Sequence, residues 1–241
     1  MSIKAILITT VLCFSIRCSR AQSDEQAYTE ELTYGVNFNT NAGLIGGFAM
    51  KWAKLVKPKR YRCIGFEIVN VKHPKEYKFR NDVTGNSFIA FKSHYLFSFR
   101  PYYGREFVLF GKAPEEGVHI NAILAAGPSI GIRKPYYVLY VNVPSNPNSA
   151  VSIPYDTSLN DNQIYGVGNF GDGFNKLSFT AGINVKASLT LEFGQIKSSV
   201  IGVEIGVLAE QFTKPQVIIP YVESKSLFTS GFITLYYGKK N

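Results

Sequence analysis

Cysteine is scarce in this chain, at three in 241 residues. Cys13 and Cys18 fall in an apolar N-terminal stretch, which leaves Cys63 alone in the rest. A single cysteine excludes an internal disulfide framework and a cysteine-rich metal site. Secreted soluble domains of this size often carry disulfides, so stability has to come from elsewhere. Long apolar runs are also missing. Beyond the N-terminal stretch nothing approaches the roughly 20 residues a membrane-crossing helix needs, and no segment has the periodicity of an amphipathic helix. The three histidines, His73, His94 and His119, have no ligand spacing.

The N-terminus reads as a leader. Lys4 lies in a short basic start, "AILITTVLCFSI" is apolar, and Ser19 and Ala21 occupy the small-residue positions of a cleavage site. Twelve apolar residues are too few for an anchor helix. Neither Cys13 nor Cys18 follows the small residue that lipoprotein processing requires. We expect residues 1–21 to be removed and the polar residues 22–31 to be a disordered lead. Lys4, Arg17 and Arg20 leave with the leader, lowering the net charge from +9 to +6. For an exported chain with scattered basic residues, nucleic acid is not an expected partner. An anionic lipid or lipopolysaccharide surface is.

What is present is alternation. "LSFTAGINVKASLTLEFG" (177–194) puts Leu177, Phe179, Ala181, Ile183, Val185, Ala187, Leu189, Leu191 and Phe193 on one face and only polar or small residues on the other. Successive strand side chains point to opposite faces. Similar segments occur at 32–39, 43–52, 61–69, 91–100, 117–127, 200–212 and 226–238. The expected fold is all-β, a single antiparallel up-and-down transmembrane β-barrel of about eight strands over 32–241, with ten as the alternative count. Residues 70–86 and 213–225 are expected as intermediate loops and 144–175 as one long polar loop.

Alternation alone fits a soluble barrel with an apolar interior or a membrane barrel with an apolar exterior. The polar face decides. It is built of Ser, Thr, Gly and Asn, small enough to pack inside a narrow tube. Lys51, Glu67, Lys92, Arg100, Lys186, Glu192 and Glu204 share that side, with His94 and His119. Opposite charges in near balance can survive burial as pairs, so a salt-bridged lumen is expected from Lys51, Glu67, Lys92, Arg100, His119, Lys186, Glu192 and Glu204. Tyrosines and phenylalanines, 15 and 18 in number, suggest interfacial girdles at Tyr34, Tyr61, Tyr102, Tyr103, Tyr136, Tyr137, Phe193, Phe212, Tyr236 and Tyr237.

The leader ending "RAQS", the opening strand "YGVNFNTNAGLIGG", the closing "FITLYYGKKN" and the central "YLFSFRPYYGREFVLFGKAPEEGVHINAILAAGPSIGI" resemble the small outer-membrane β-barrel proteins of Bacteroidota, the broad PorT-like group. The resemblance covers most of the chain after the leader and rests on texture more than on a diagnostic motif. It implies an eight-stranded barrel without a cofactor, in a group some of whose members are linked to protein secretion and envelope assembly. Thr234 stands where an aromatic is expected in a barrel's closing strand.

Enzymatic chemistry is not expected. "GVGNFG" (166–171) matches a nucleotide-loop spacing but lies in a polar loop rather than between a strand and a helix. "NDNQ" (160–163) with Asp156 and Asp172 lacks the Gly and terminal Glu of a calcium loop. His73 sits in an outer loop, where a lipid-modifying barrel enzyme could place a catalytic histidine, but no partner is selected. Glu115 and Glu116 diverge as adjacent residues and suit a hydrated rim. The link 100–117 carries Phe107, Val108, Leu109 and Phe110, expected either as a plug or as a docking site for a partner. The expected role is a non-enzymatic platform in the cell outer membrane with periplasmic termini, working through an envelope or secretion partner. Alternatives are a small pore, a ligand-binding barrel or, less favoured, a lipid-modifying enzyme.

Overall fold

A computed structural model describes residues 28–82, 84–111, 118–142, 149–193 and 199–241, without the side chains of 43–45. The leader, residues 22–27 and the Glu115–Glu116 pair lie outside them. Eight long strands form a closed antiparallel barrel: β1 (Glu30–Asn39), β2 (Gly43–Lys57), β3 (Arg60–Val71), β6 (His94–Phe110), β7 (His119–Pro135), β11 (Ser178–Phe193), β12 (Ser199–Gln216) and β13 (Lys225–Lys240). Each neighbours the next in sequence, and β1 closes on β13 with Tyr34 opposite Tyr237. Five short strands occupy the links at the end opposite the chain termini: β4 (Tyr77–Arg80), β5 (Ser87–Ala90), β8 (Tyr137–Val141), β9 (Ala150–Pro154) and β10 (Ile164–Val167).

The wall is apolar outside and polar inside. On β11, Phe179 is 65% exposed and Ile183 64%, whereas Lys186 and Thr190 on the other face are each 1% exposed. The same parity holds around the ring: Val36, Phe48, Ile68, Leu124, Ile130, Ile205, Val207, Ile233 and Leu235 are outward and exposed. Lipid cannot satisfy free backbone groups, so a spanning sheet must close on itself. About 9–11 tilted residues cross the hydrocarbon, and strands of 16 to 18 residues such as β11, β12 and β13 therefore project beyond it.

Three sequence expectations need correction. The lead does not extend to residue 31, because β1 begins at Glu30, held by Thr29 N–H donating to the Asn241 carbonyl at 2.7 Å and by Asn241 N–H donating to the Glu30 carbonyl at 2.9 Å. Chain start and chain end are neighbouring strands, so closure orders both. The link 100–117 is strand as far as Phe110: Arg60 faces Phe107 and Asn121 faces Val108. Phe107, Leu109 and Phe110 continue the outer wall, and Val108 packs against the lumen cluster of Tyr61, Cys63 and Tyr102. Half of the expected girdle also points the wrong way. Tyr34, Tyr103, Phe193 and Tyr237 are outward, but Tyr61, Tyr102, Phe212 and Tyr236 fill the lumen and Tyr136 is buried beyond it. Those four inward rings share the parity of the charged residues.

Beyond the far rim the links fold into a cap. β10-β8-β9 form one sheet and β4-β5 a hairpin. Phe88, Ala90, Tyr136, Val138, Tyr155 and Ile164 make its core. Side chains fasten the links to one another. Tyr136 Oη accepts from Ile89 N–H at 2.9 Å, Tyr155 Oη accepts from Phe91 N–H at 3.1 Å, and Asn81 Nδ2 donates to the Ile164 carbonyl at 2.9 Å. The polar loop expected at 144–175 thus contains β9 and β10, and 70–86 contains β4.

Candidate functional site

The lumen is packed from rim to rim in layers. At the end bearing the termini, Tyr28 stacks on Tyr61 with ring centroids 4.4 Å apart, above Ala53, Cys63, Ile123 and Ala125. At the cap end, Val69, Val71, Leu96, Phe212, Phe228, Ile218 and Ile219 form an apolar plug. Two clusters of ion pairs complete the filling, the first of them level with the Tyr28–Tyr61 stack, since Glu31 faces Ala53 and Glu106 faces Tyr61 and Ile123 across the strands.

The first cluster is built around Lys51. Its ammonium is 2.8 Å from Glu106 and 3.4 Å from Glu31. Glu31 is 3.6 Å from Lys240, which also pairs with Glu192. Asn121 Nδ2 donates to Glu106 at 2.7 Å and to Glu192 at 3.4 Å, and His119 Nδ1 lies 4.0 Å from Glu192. The second cluster centres on Lys186, 2.7 Å from Glu67 and 2.9 Å from Glu204 and set against the rings of Tyr102 and Phe232 at 4.7 and 5.0 Å. Ser188 Oγ donates to Glu204 at 2.6 Å. Arg100 binds Glu210 through two parallel bonds, Nε to Oε1 at 3.0 Å and Nη2 to Oε2 at 2.6 Å, and Ser98 Oγ donates to the same carboxylate. A bidentate Arg–carboxylate pair is the strongest geometry open to these side chains. Glu67 lies 4.0 Å from Arg100 and so joins the two halves of this cluster.

Of the eight residues expected in this network, Lys51, Glu67, Arg100, His119, Lys186, Glu192 and Glu204 are in it. Lys92 is not. Phe91 has a left-handed backbone (φ 61°), which breaks the extended run before β6 starts at His94, and Lys92 lies in the cap. There it pairs with Glu76 at 2.7 Å and sits 4.5 Å from the Tyr95 ring. Burial pushes its pKa below the ordinary lysine value, with Glu76 opposing. His94 also stays out of the network, its Nδ1 being 2.9 Å from Ser93 Oγ. The sequence reading missed Glu31, Glu106, Glu210 and Lys240. All four have the parity of the polar face, and that was the signal available for them.

Glycines opposite the rings let this interior close. A Cβ at Gly65 would stand 2.5 Å from Tyr102 Oη, one at Gly202 2.4 Å from Tyr236 Oη, and one at Gly206 2.7 Å from Phe232 Cζ. The gap lined by Thr33, Lys51, Tyr102, Glu204, Thr234 and Tyr236, where the two clusters meet, has a volume of about 10 Å³. That is room for about one water. Where the clusters meet, the interior is thus a filled core made of charges, rings and hydroxyls.

The remaining candidates have structural uses. His73 Nδ1 accepts from Lys75 N–H at 3.1 Å, and the backbone N–H of His73 donates to Glu76 Oε1 at 3.2 Å. Asn160 caps a 3-10 turn at Asp161–Gln163, Asp156 accepts from Ser158 N–H at 2.9 Å, and Asp172 accepts from Asn169 N–H at 3.0 Å and from Ser152. Of the glycines of 166–171, Gly166 lies in β10 and Gly168 and Gly171 lie between it and a second 3-10 turn, Phe174–Lys176, which leads into β11 rather than an α-helix. Among the described residues no three His, Cys, Asp or Glu side chains gather as a metal site.

No family model matches the chain, and no curated protein matches it. Among solved structures it is similar to Ail, the attachment invasion locus protein of Yersinia pestis. The TM-score is 0.39 at 10% identity, over 88% of this chain and 97% of that one. One of those structures is a complex with the heparin analogue sucrose octasulfate. It is similar also to Neisserial surface protein A, with a TM-score of 0.39 at 10% identity, over 88% of this chain and 96% of that one.

Proposed function

We propose that this chain is an exported, non-enzymatic barrel of the outer membrane that serves as a platform, its termini periplasmic and its cap the surface that meets an envelope or secretion partner. The observation that carries this reading is the filled lumen. A barrel filled by two ion-pair clusters together with packed rings and apolar side chains is built to hold shape rather than to pass solute. A protein of this kind has to work through what it presents at its ends. The cap presents aromatic side chains at Tyr77, Phe170 and Tyr221, on a base fastened by the Tyr136, Tyr155 and Asn81 hydrogen bonds. Exposed rings on a rigid support favour binding of another surface. Leu109 and Phe110, near the other rim, are a second place where a membrane-embedded partner could pack.

Two measurements test the reading. Cys63, with no exposed surface, should not react with a water-soluble maleimide in the folded, vesicle-inserted chain and should react after boiling, and planar bilayers should show no stepwise conductance. Labelling of the folded protein together with conductance would replace the platform with a pore. A detergent pull-down of the intact chain, set beside Tyr77→Ser/Phe170→Ser and Leu109→Ser/Phe110→Ser, then tells which end holds a partner. Retention of the same partner by both variants would sink the proposed surfaces.

A further inference from the structure

Among the described residues the outer wall is uncharged except at its rims, and at the rim bearing the chain termini it carries a row of like charges. Lys54 on β2, Arg62 on β3 and Arg105 on β6 stand directly opposite one another across three adjacent strands. All three have the outward parity of Trp52, Ile64 and Tyr103. Like charges in facing positions on neighbouring strands repel. The turn beside them adds Lys57 and Arg60, both exposed. Glu30 pairs with Lys54 at 2.8 Å, but among the described residues no carboxylate lies within ion-pair distance of Arg62 or Arg105. Arg62 Nε is buried from solvent without a hydrogen-bond partner.

We propose that this row is a binding site for the phosphate of an anionic glycerophospholipid in the leaflet at the terminal rim. The proposal rests on the barrel spanning a membrane. Arginine presents a planar fork that matches phosphate oxygens two at a time, and Arg62 and Arg105 are adjacent strand neighbours, so two forks converge on one anion. The flanking rings fit the same depth. The Lys54 ammonium is 6.0 Å from the Trp52 ring and the Arg105 guanidinium 6.0 Å from the Tyr103 ring. Trp and Tyr favour the headgroup level of a bilayer. A basic side chain facing lipid there costs only about 0–1 kcal/mol, against about 2–4 at the midplane. A bound phosphate removes the repulsion along the row, while its acyl chains run along the neighbouring Met50, Ile64 and Phe66. A partner protein would not need the apolar wall directly above the charges, and a lipid does.

The test is native mass spectrometry of the refolded chain from residue 22, with phosphatidylglycerol, phosphatidylcholine or lipid A added to the detergent. The folded barrel should retain phosphatidylglycerol in preference to the other two. Arg62→Gln/Arg105→Gln should weaken that retention at least about tenfold, the loss expected from one charged hydrogen bond. Lys78→Gln/Lys225→Gln, at the opposite end, should leave it unchanged. Equal retention of phosphatidylglycerol and phosphatidylcholine, preference for lipid A, or unchanged retention by the arginine variant would each overturn the proposal. If the double variant does not fold, Arg105→Gln alone is read in the same way. A heat-modifiability gel separates the two levels of failure: a parent chain with no shifted band overturns the membrane barrel itself, whereas a shifted band without selective lipid overturns only the site.

Discussion

Lys186→Met is expected to destabilise the barrel by about 3–5 kcal/mol, the range for removing one partner of a buried ion pair. The ammonium is the only cation within 3 Å of either Glu67 or Glu204 among the described residues, and it is 1% exposed. Methionine fills much of the same volume and can still lie between Tyr102 and Phe232, so lost packing is a minor part of the effect. What remains is two buried carboxylates, with Arg100 at 4.0 Å from Glu67 as the remaining cation within ion-pair distance of either among the described residues. Urea unfolding in detergent micelles would read the loss. Adding Glu67→Gln and Glu204→Gln should return most of it, because neutral amides need no counter-ion. A loss below about 1 kcal/mol, the size of an exposed pair, would mean that water reaches these groups.

Phe212→Ala is the second large effect, at about 3–5 kcal/mol for a buried ring replaced by a methyl. Phe212 points inward from β12 into the cap-end plug, edge-on to Phe228 at a centroid distance of 5.9 Å. Its ring covers two glycines on neighbouring strands. A Cβ at Gly131 would lie 2.7 Å from Phe212 Cε1, and one at Gly182 2.9 Å from Cδ1. The barrel thus trades side-chain volume between strands, one ring occupying the space of two missing side chains. Gly131→Val should be destabilising by itself through overpacking. Combined with Phe212→Ala it should cost less than the sum of the two, with a coupling of about 0.5–3 kcal/mol. Additive losses would show that the ring and the glycine do not share that space.

The eight barrel strands were legible because each keeps one phase for most of its length, and the face assignment followed from which phase carried the charges. Where the phase is masked, reading fails for a stated reason. Arg105 is an outward charge on β6, so "GREFVLF" reads as a link although Glu106 continues the inward parity of Arg100 and Tyr102. Glu30 and Glu31 come before any apolar residue of β1 and look like a polar lead. Their order comes from β13, which is most of the chain away in sequence. Glu210 stood in plain phase with Glu204 and needed nothing beyond parity. Tyr61, Tyr102 and Tyr236 suit a girdle by their type and their place near strand ends, but parity puts them inside. The cap was not legible by these means. Its strands are four or five residues long, too short for a period, and its assembly depends on Asn81, Thr84 and Asn86 reaching the backbone at 164 and 165.

The apolar face of the wall meets lipid, and the chain carries its own probe of that contact. Trp52 is the only tryptophan and projects outward from β2 near the terminal rim. In vesicles of lipids brominated on the acyl chains close to the headgroup, its fluorescence should be strongly quenched, while iodide in the aqueous phase should quench it little. Strong quenching by iodide with none by bromolipid would contradict the account, because it would place the apolar face of the barrel away from lipid.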